Sequence, residues 1–159
     1  MIRRALPLLL LPLLGAGCHA VPASAQAASA PMDIEYRMIT RFPTCRGNER
    51  TRVDAVGRVW KAQNLTDCAP GEKWSTPYPA APLRTLSPRQ RARLEETVEK
   101  EKFFELAPRH TDPNKVTSDG YVEEIEVNQG GRRHQVAAEN GYMPAAFRKL
   151  RQLLIDAGS

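Results

Sequence analysis

The chain has 159 residues, 42% of them hydrophobic and 26% charged, and a formal net charge of +5. That length and composition fit one soluble globular domain. The excess of base is small, and acids and bases are interspersed, which excludes a nucleic-acid-binding surface of the usual strongly basic kind.

The N-terminus reads as an address rather than as part of the fold. Arg3 and Arg4 precede an apolar run over residues 5–14, too short and too interrupted by proline to span a bilayer. Ala23-Ser24-Ala25 and Ala25-Gln26-Ala27 have the small-x-small form of a signal-peptidase site. Leu14-Gly15-Ala16-Gly17-Cys18 instead has the outline of a lipobox, in which Cys18 is acylated. The expectation is a signal over residues 1–27, a tether over 28–32 and one domain over 33–158, in the periplasm or secreted. A membrane tether through Cys18 is the alternative. Removing the signal takes away two positive charges and no negative one.

Three cysteines are present. With Cys18 in the signal region, Cys45 and Cys68 are left in an oxidising compartment, where a Cys45–Cys68 disulfide is expected. Closing a loop of that size stabilises by about 3–4 kcal/mol on chain-entropy grounds.

Residues 33–42 alternate, with Ile34, Tyr36 and Met38 on one face and Glu35, Arg37 and Arg41 on the other, as in a half-buried strand. Residues 49–54 and 58–63 form a second and third strand around an Asp54–Gly57 turn. Asn64-Leu65-Thr66 matches a glycosylation sequon, read here as chance. Residues 67–86 carry five Pro and Gly punctuators and read as an ordered excursion, held by the disulfide and by Trp74 and Tyr78.

Leu86-Ser87-Pro88-Arg89-Gln90 is a helix start: Ser87 caps, Pro88 takes the first helical position and Gln90 completes a capping box. The helix runs to about Glu101 with Leu94 and Val98 inward, and Phe103, Phe104 and Leu106 anchor its end. Residues 107–119 are a loop. A hairpin follows, with strands from Tyr121 to Val127 and from Arg132 to Val136 around Gly130-Gly131. A last helix begins at Pro144 with a stripe of Phe147, Leu150, Leu153 and Leu154. The order β-β-β-α-β-β-α predicts an α+β domain: an antiparallel sheet of about five strands with two helices on one face.

Chemistry is sparse. His134 falls within a strand, where it reads as structural. His110, with Asp112 and Asp119, lacks metal-ligand spacing. Ser118, His110 and Asp112 lack the Gly-x-Ser-x-Gly elbow of a hydrolase triad. Glu124 and Glu126 share a solvent face. Glu123 falls on the apolar face by parity and needs a cationic partner, for which Arg132 and His134 on the neighbouring strand are the candidates. Gly130-Gly131 is a hairpin turn and not a phosphate loop. No catalytic, cofactor or metal residue is assigned, and the chain is read as a non-enzyme.

Ser87-Pro-Arg-Gln-Arg-Ala-Arg-Leu94, Phe103-Phe104-Glu-Leu106, Asp119-Gly-Tyr121, Ile125-Glu-Val127, Gly130-Gly-Arg-Arg-His-Gln-Val136 and Met143-Pro-Ala-Ala-Phe147 together resemble emfourin, a small bacterial protein inhibitor of thermolysin-like metalloproteases. The outline also resembles small bacterial envelope proteins with a Cys-bearing N-terminal hairpin. The emfourin resemblance implies a protease partner in the envelope. The Gly-Gly-Phe-type segment associated with inhibition in that family is replaced here by Thr40-Arg-Phe-Pro-Thr-Cys45, so no inhibitory residue is carried over. Residues of a partner-binding loop are instead sought at Phe42, Trp74 and Tyr78, since rigid aromatic loops bind at little ordering cost. The alternative role is that of a structural or accessory envelope lipoprotein.

Overall fold

Alternation of apolar and polar side chains makes β1 (Met32–Thr40) a strand with one wet and one dry face. The computed structural model, which describes residues 30–41, 44–114 and 120–159, builds the sheet on it. β2 (Glu49–Val53) pairs antiparallel with one edge of β1 and β6 (Tyr121–Gln129) with the other. β3 (Arg58–Gln63) extends the first side, and β7 (Arg132–Glu139) extends the second. Between these hairpins run α1 (Pro88–Lys100) and a 3-10 turn, Phe103–Glu105, and α2 (Ala145–Ala157) closes the chain.

The turns follow from their residues. Asp54 Oδ1 accepts from the backbone N–H groups of Val56 at 3.1 Å and Arg58 at 2.9 Å, and Gly57 takes φ 86°. That is an Asx-supported tight turn. Gly130 and Gly131 both have positive φ, 58° and 79°, as a two-residue hairpin matching the twist of its strands requires. Ser87 Oγ accepts from the N–H of Gln90 while Gln90 Oε1 accepts from the N–H of Ser87 at 2.9 Å, the reciprocal capping box.

The sheet is larger than expected. Among the described residues it has seven strands, the five named above in the order β3-β2-β1-β6-β7 with one short strand added at each edge. The two additions are β4 (Arg84–Thr85), antiparallel on β3, and β5 (Arg109–His110), parallel on β7. The expected all-antiparallel sheet is therefore mixed. Two residues carry no alternation to read. These edges form because the chain docks there: the N–H of Leu83 donates to the carbonyl of Val59 at 2.7 Å, and that of Ala137 to the carbonyl of Pro108 at 2.9 Å.

Both helices pack on one face of the sheet. Met32, Ile34 and Tyr36, Val53 and Val59, Ile125 and Val127, Val136 and Ala138 meet Leu94, Val98 and Phe103 from the α1 side. Phe147, Leu150 and Leu154 meet them from α2. Each of these larger side chains contributes about 1.5–3 kcal/mol by leaving water.

Glu123 lies in this core, 0% exposed. The Tyr36 hydroxyl donates to its Oε1 at 2.6 Å, and Arg151 of α2 donates to the same oxygen. Burial and the Glu123 carboxylate both push the Tyr36 phenol far above its ordinary value. The expected partners Arg132 and His134 are corrected. Arg132 lies 4.1 Å over the Phe104 ring and reaches Glu99, while His134 Nε2 sits 3.0 Å from the carbonyl of Leu106. The register explains this: Glu123 pairs with Ala138, whereas His134 pairs with Val127, four residues or about 13 Å further along β6. Small Ala138 leaves the space above Glu123 to α2.

Candidate functional site

The face of the sheet away from the helices is built of charge. Arg37 on β1 donates to Glu35 at 2.6 Å, to Glu124 at 3.3 Å and to Glu126 at 3.0 Å. Arg133 donates to Glu126 at 2.8 Å, and Arg52 to Asp33 at 3.2 Å. Burial pushes the Glu126 carboxyl up, but the hydrogen bonds from Arg133 and Arg37 outweigh it and hold the group below its ordinary value. Glu139 behaves in the same way: its burial is outweighed by Arg109 and Arg41. These cations and anions satisfy one another and leave a wet, ion-paired surface.

Over one part of this face lies the excursion between β3 and β4. Arg50 of β2 is clasped by it: the guanidinium carbon lies 4.6 Å from the Trp74 ring centre and 4.2 Å from that of Tyr78. Arg50 also donates to the carbonyl of Thr76 at 3.0 Å, and the Tyr78 hydroxyl donates to Glu35 at 2.8 Å. Burial and the Glu35 carboxylate raise the Tyr78 phenol far above its usual value. Trp74 and Tyr78 are half-buried, with their rings turned onto Arg50. Phe42 and Cys18 lie outside the described residues.

The root of the excursion is stapled twice. Cys45 and Cys68 form a disulfide with Cα atoms 5.7 Å apart. Beside it stand two buried asparagines, Asn48 and Asn64, each 1% exposed. Asn64 Nδ2 donates to the carbonyls of Cys45 at 3.0 Å and Lys73 at 2.9 Å. Its Oδ1 accepts from the N–H groups of Ser75 at 3.1 Å and Thr76 at 3.2 Å. Asn48 Nδ2 donates to the same Lys73 carbonyl at 3.0 Å, while its Oδ1 accepts from the N–H of Thr40 at 2.8 Å. A buried amide making this many bonds rigidifies what it joins, because each bond lost would leave a buried polar group unpaired. Three separate passes of chain thus meet on two side chains. Sequence reasoning missed both. The available signal was positional: Asn48 directly precedes β2 and Asn64 directly follows β3, each a few residues from a cysteine.

The histidines do not make a centre. His110 on β5 has a buried Nε2 with no hydrogen-bond partner, and Asp112 accepts from the N–H of Asn114 at 2.9 Å. Ser118 and Asp119 lie outside the described residues. Among the described residues, no three His, Cys, Asp or Glu side chains gather as metal ligands would.

Fold and loop together define a small α+β domain, two helices on a mixed sheet, with a cross-linked and amide-stapled loop folded onto part of its N-terminal strands. The Emfourin family model matches residues 80–154 of it, just under half of the chain. No curated protein matches the chain. The matched stretch takes in β4, α1, β5, the β6–β7 hairpin and most of α2, and bears out the family resemblance read from the Ser87, Phe103, Gly130 and Met143 motifs. It leaves out β1, β2, β3 and the stapled loop. The family name suggests a role of the metalloprotease-inhibitor kind.

Proposed function

We propose that this protein is an exported, non-enzymatic binding protein that inhibits a thermolysin-like metalloprotease in the periplasm or outside the cell. The Emfourin match over residues 80–154 carries the reading. Two features support it. The N-terminal residues have the form of an export signal, with cleavage near Ala25 or Ala27. The Cys45–Cys68 disulfide suits an oxidising compartment. The protein contributes a fixed surface to its partner and no reacting group. Trp74 and Tyr78 brace the loop by stacking on Arg50.

Titration of the purified protein against a thermolysin-type protease, with a short fluorogenic peptide as substrate, tests this. Hydrolysis should fall with added protein and reach its floor near equimolar ratio. Full hydrolysis at a large molar excess overturns the reading.

Cys18 favours a second reading, an accessory lipoprotein of the envelope. Mass spectrometry of the mature N-terminus separates the two: an acylated Cys18 supports the lipoprotein, and a start at Gln26 or Ala28 the soluble inhibitor.

A further inference from the structure

Leu65 is 72% exposed, the most exposed of the four large apolar side chains that stand out from the described surface, ahead of Val56, Leu83 and Tyr142. A single exposed leucine is ordinary. Its frame is what sets it apart. The residue before it is Asn64, whose backbone N–H donates to the carbonyl of Asn48 at 2.9 Å and whose carbonyl accepts from the N–H of Gly47 at 2.9 Å. Its side chain makes the four bonds described above. The residue after it is Thr66, whose carbonyl accepts from the Ser75 hydroxyl at 2.9 Å. Two residues further on, Cys68 is tied to Cys45. The backbone is therefore fixed on both sides of Leu65 while the side chain points into water.

We infer that Leu65 is the residue by which the protein anchors in its partner, entering an apolar subsite of a protease's substrate cleft. This rests on the inhibitor reading above. A branched aliphatic side chain standing out from a braced loop fits a concave apolar pocket, the usual form of a specificity subsite. The ordering cost that a flexible loop meets on binding is already met in the free protein, so burial of Leu65 appears in the affinity. Next to it in the chain come Thr66 and Asp67, the latter 3.9 Å from exposed Arg46, so polar groups flank the apolar centre as they commonly do at binding anchors. Trp74 and Tyr78 act indirectly. By clasping Arg50 they hold the 73–76 pass on which Asn64 hangs.

The test uses the full disulfide-bonded protein, thermolysin and a fluorogenic peptide, with Ki measured for wild type, Leu65→Met, Leu65→Ala, Leu65→Asp and Val56→Asp. Circular dichroism melting of each variant checks folding, and all four should melt with wild type because both positions are exposed. Leu65→Ala should raise Ki by about 30-fold, the loss of one buried aliphatic side chain. Leu65→Asp should raise it further, while Leu65→Met and Val56→Asp should stay within about three-fold of wild type. Wild-type inhibition that Leu65→Asp leaves intact overturns the anchor and spares the inhibitor reading. Equal losses in Leu65→Asp and Val56→Asp also overturn the anchor, since any surface apolar group would then serve. Wild type that does not inhibit overturns both.

Discussion

On the β6–β7 side of β1, stability comes from apolar burial: Phe103, Ile125, Val127, Val136 and Phe147 are all closed to solvent under the two helices. At the ends of β2 and β3, the chain around Cys45 and from Asn64 to Tyr78 is held by a cross-link, two buried amides and an arginine between two aromatic rings. The first arrangement tolerates change of one apolar side chain for another of like size, whereas the second depends on particular atoms. The family match follows the same division: it falls on the apolar side and stops short of the loop. The difference separates a scaffold from what the scaffold carries.

The largest effect expected on that contrast comes from the scaffold. Phe147→Ala should cost about 4 kcal/mol of global stability, read from urea unfolding, because the ring is fully enclosed and its cavity cannot collapse. Replacing both Cys45 and Cys68 by Ser should cost about 3.5 kcal/mol for a 23-residue separation. Its signature should be local. Amide exchange should speed up over residues 44–78 while the amides of α1 and α2 keep their protection relative to the new global stability. Uniform loss across both regions would break the contrast. Ser87→Ala removes the cap of α1 and should cost about 1 kcal/mol, with no change in exchange at Asn64.

Acid should produce the smallest and most distributed effect. Asp54 is pushed up by burial but held below its ordinary value by hydrogen bonds from Arg58 and Val56, and Glu126 and Glu139 are likewise lowered. A carboxylate whose pKa is lower folded than unfolded binds fewer protons in the native state. Its contribution is present above the unfolded value, about pH 4, and is lost as pH falls through the folded one. The urea midpoint should therefore decline below about pH 4, and Glu126→Gln should flatten part of that decline.

Local signals were legible where the residues themselves make the structure. The Ser87-Pro88-Gln90 cap, the Gly130-Gly131 turn, the alternation of β1 and the Phe147 stripe each read correctly because backbone preference and side-chain period agree there. Glu123 was half legible. Parity placed it in the core, but its partners Tyr36 and Arg151 are 87 and 28 residues away, brought in by strand order and by the crossing of α2. β4 and β5 were illegible because tertiary docking, and no two-residue pattern, makes them strands. Asn48 and Asn64 were missed because the first looks like a loop residue and the second like a chance sequon until the chain returns to them.

The short outer strands have a consequence for how the protein can be recognised. β4 and β5 offer two residues each, and proline stands just before both, Pro82 and Pro108. Where β4 covers Arg58 and Val59 and β5 covers Ala137 and Ala138, a second chain finds little unpaired backbone along which to zip, so strand addition is hindered over those stretches of the rims. What docks over those stretches must read side chains.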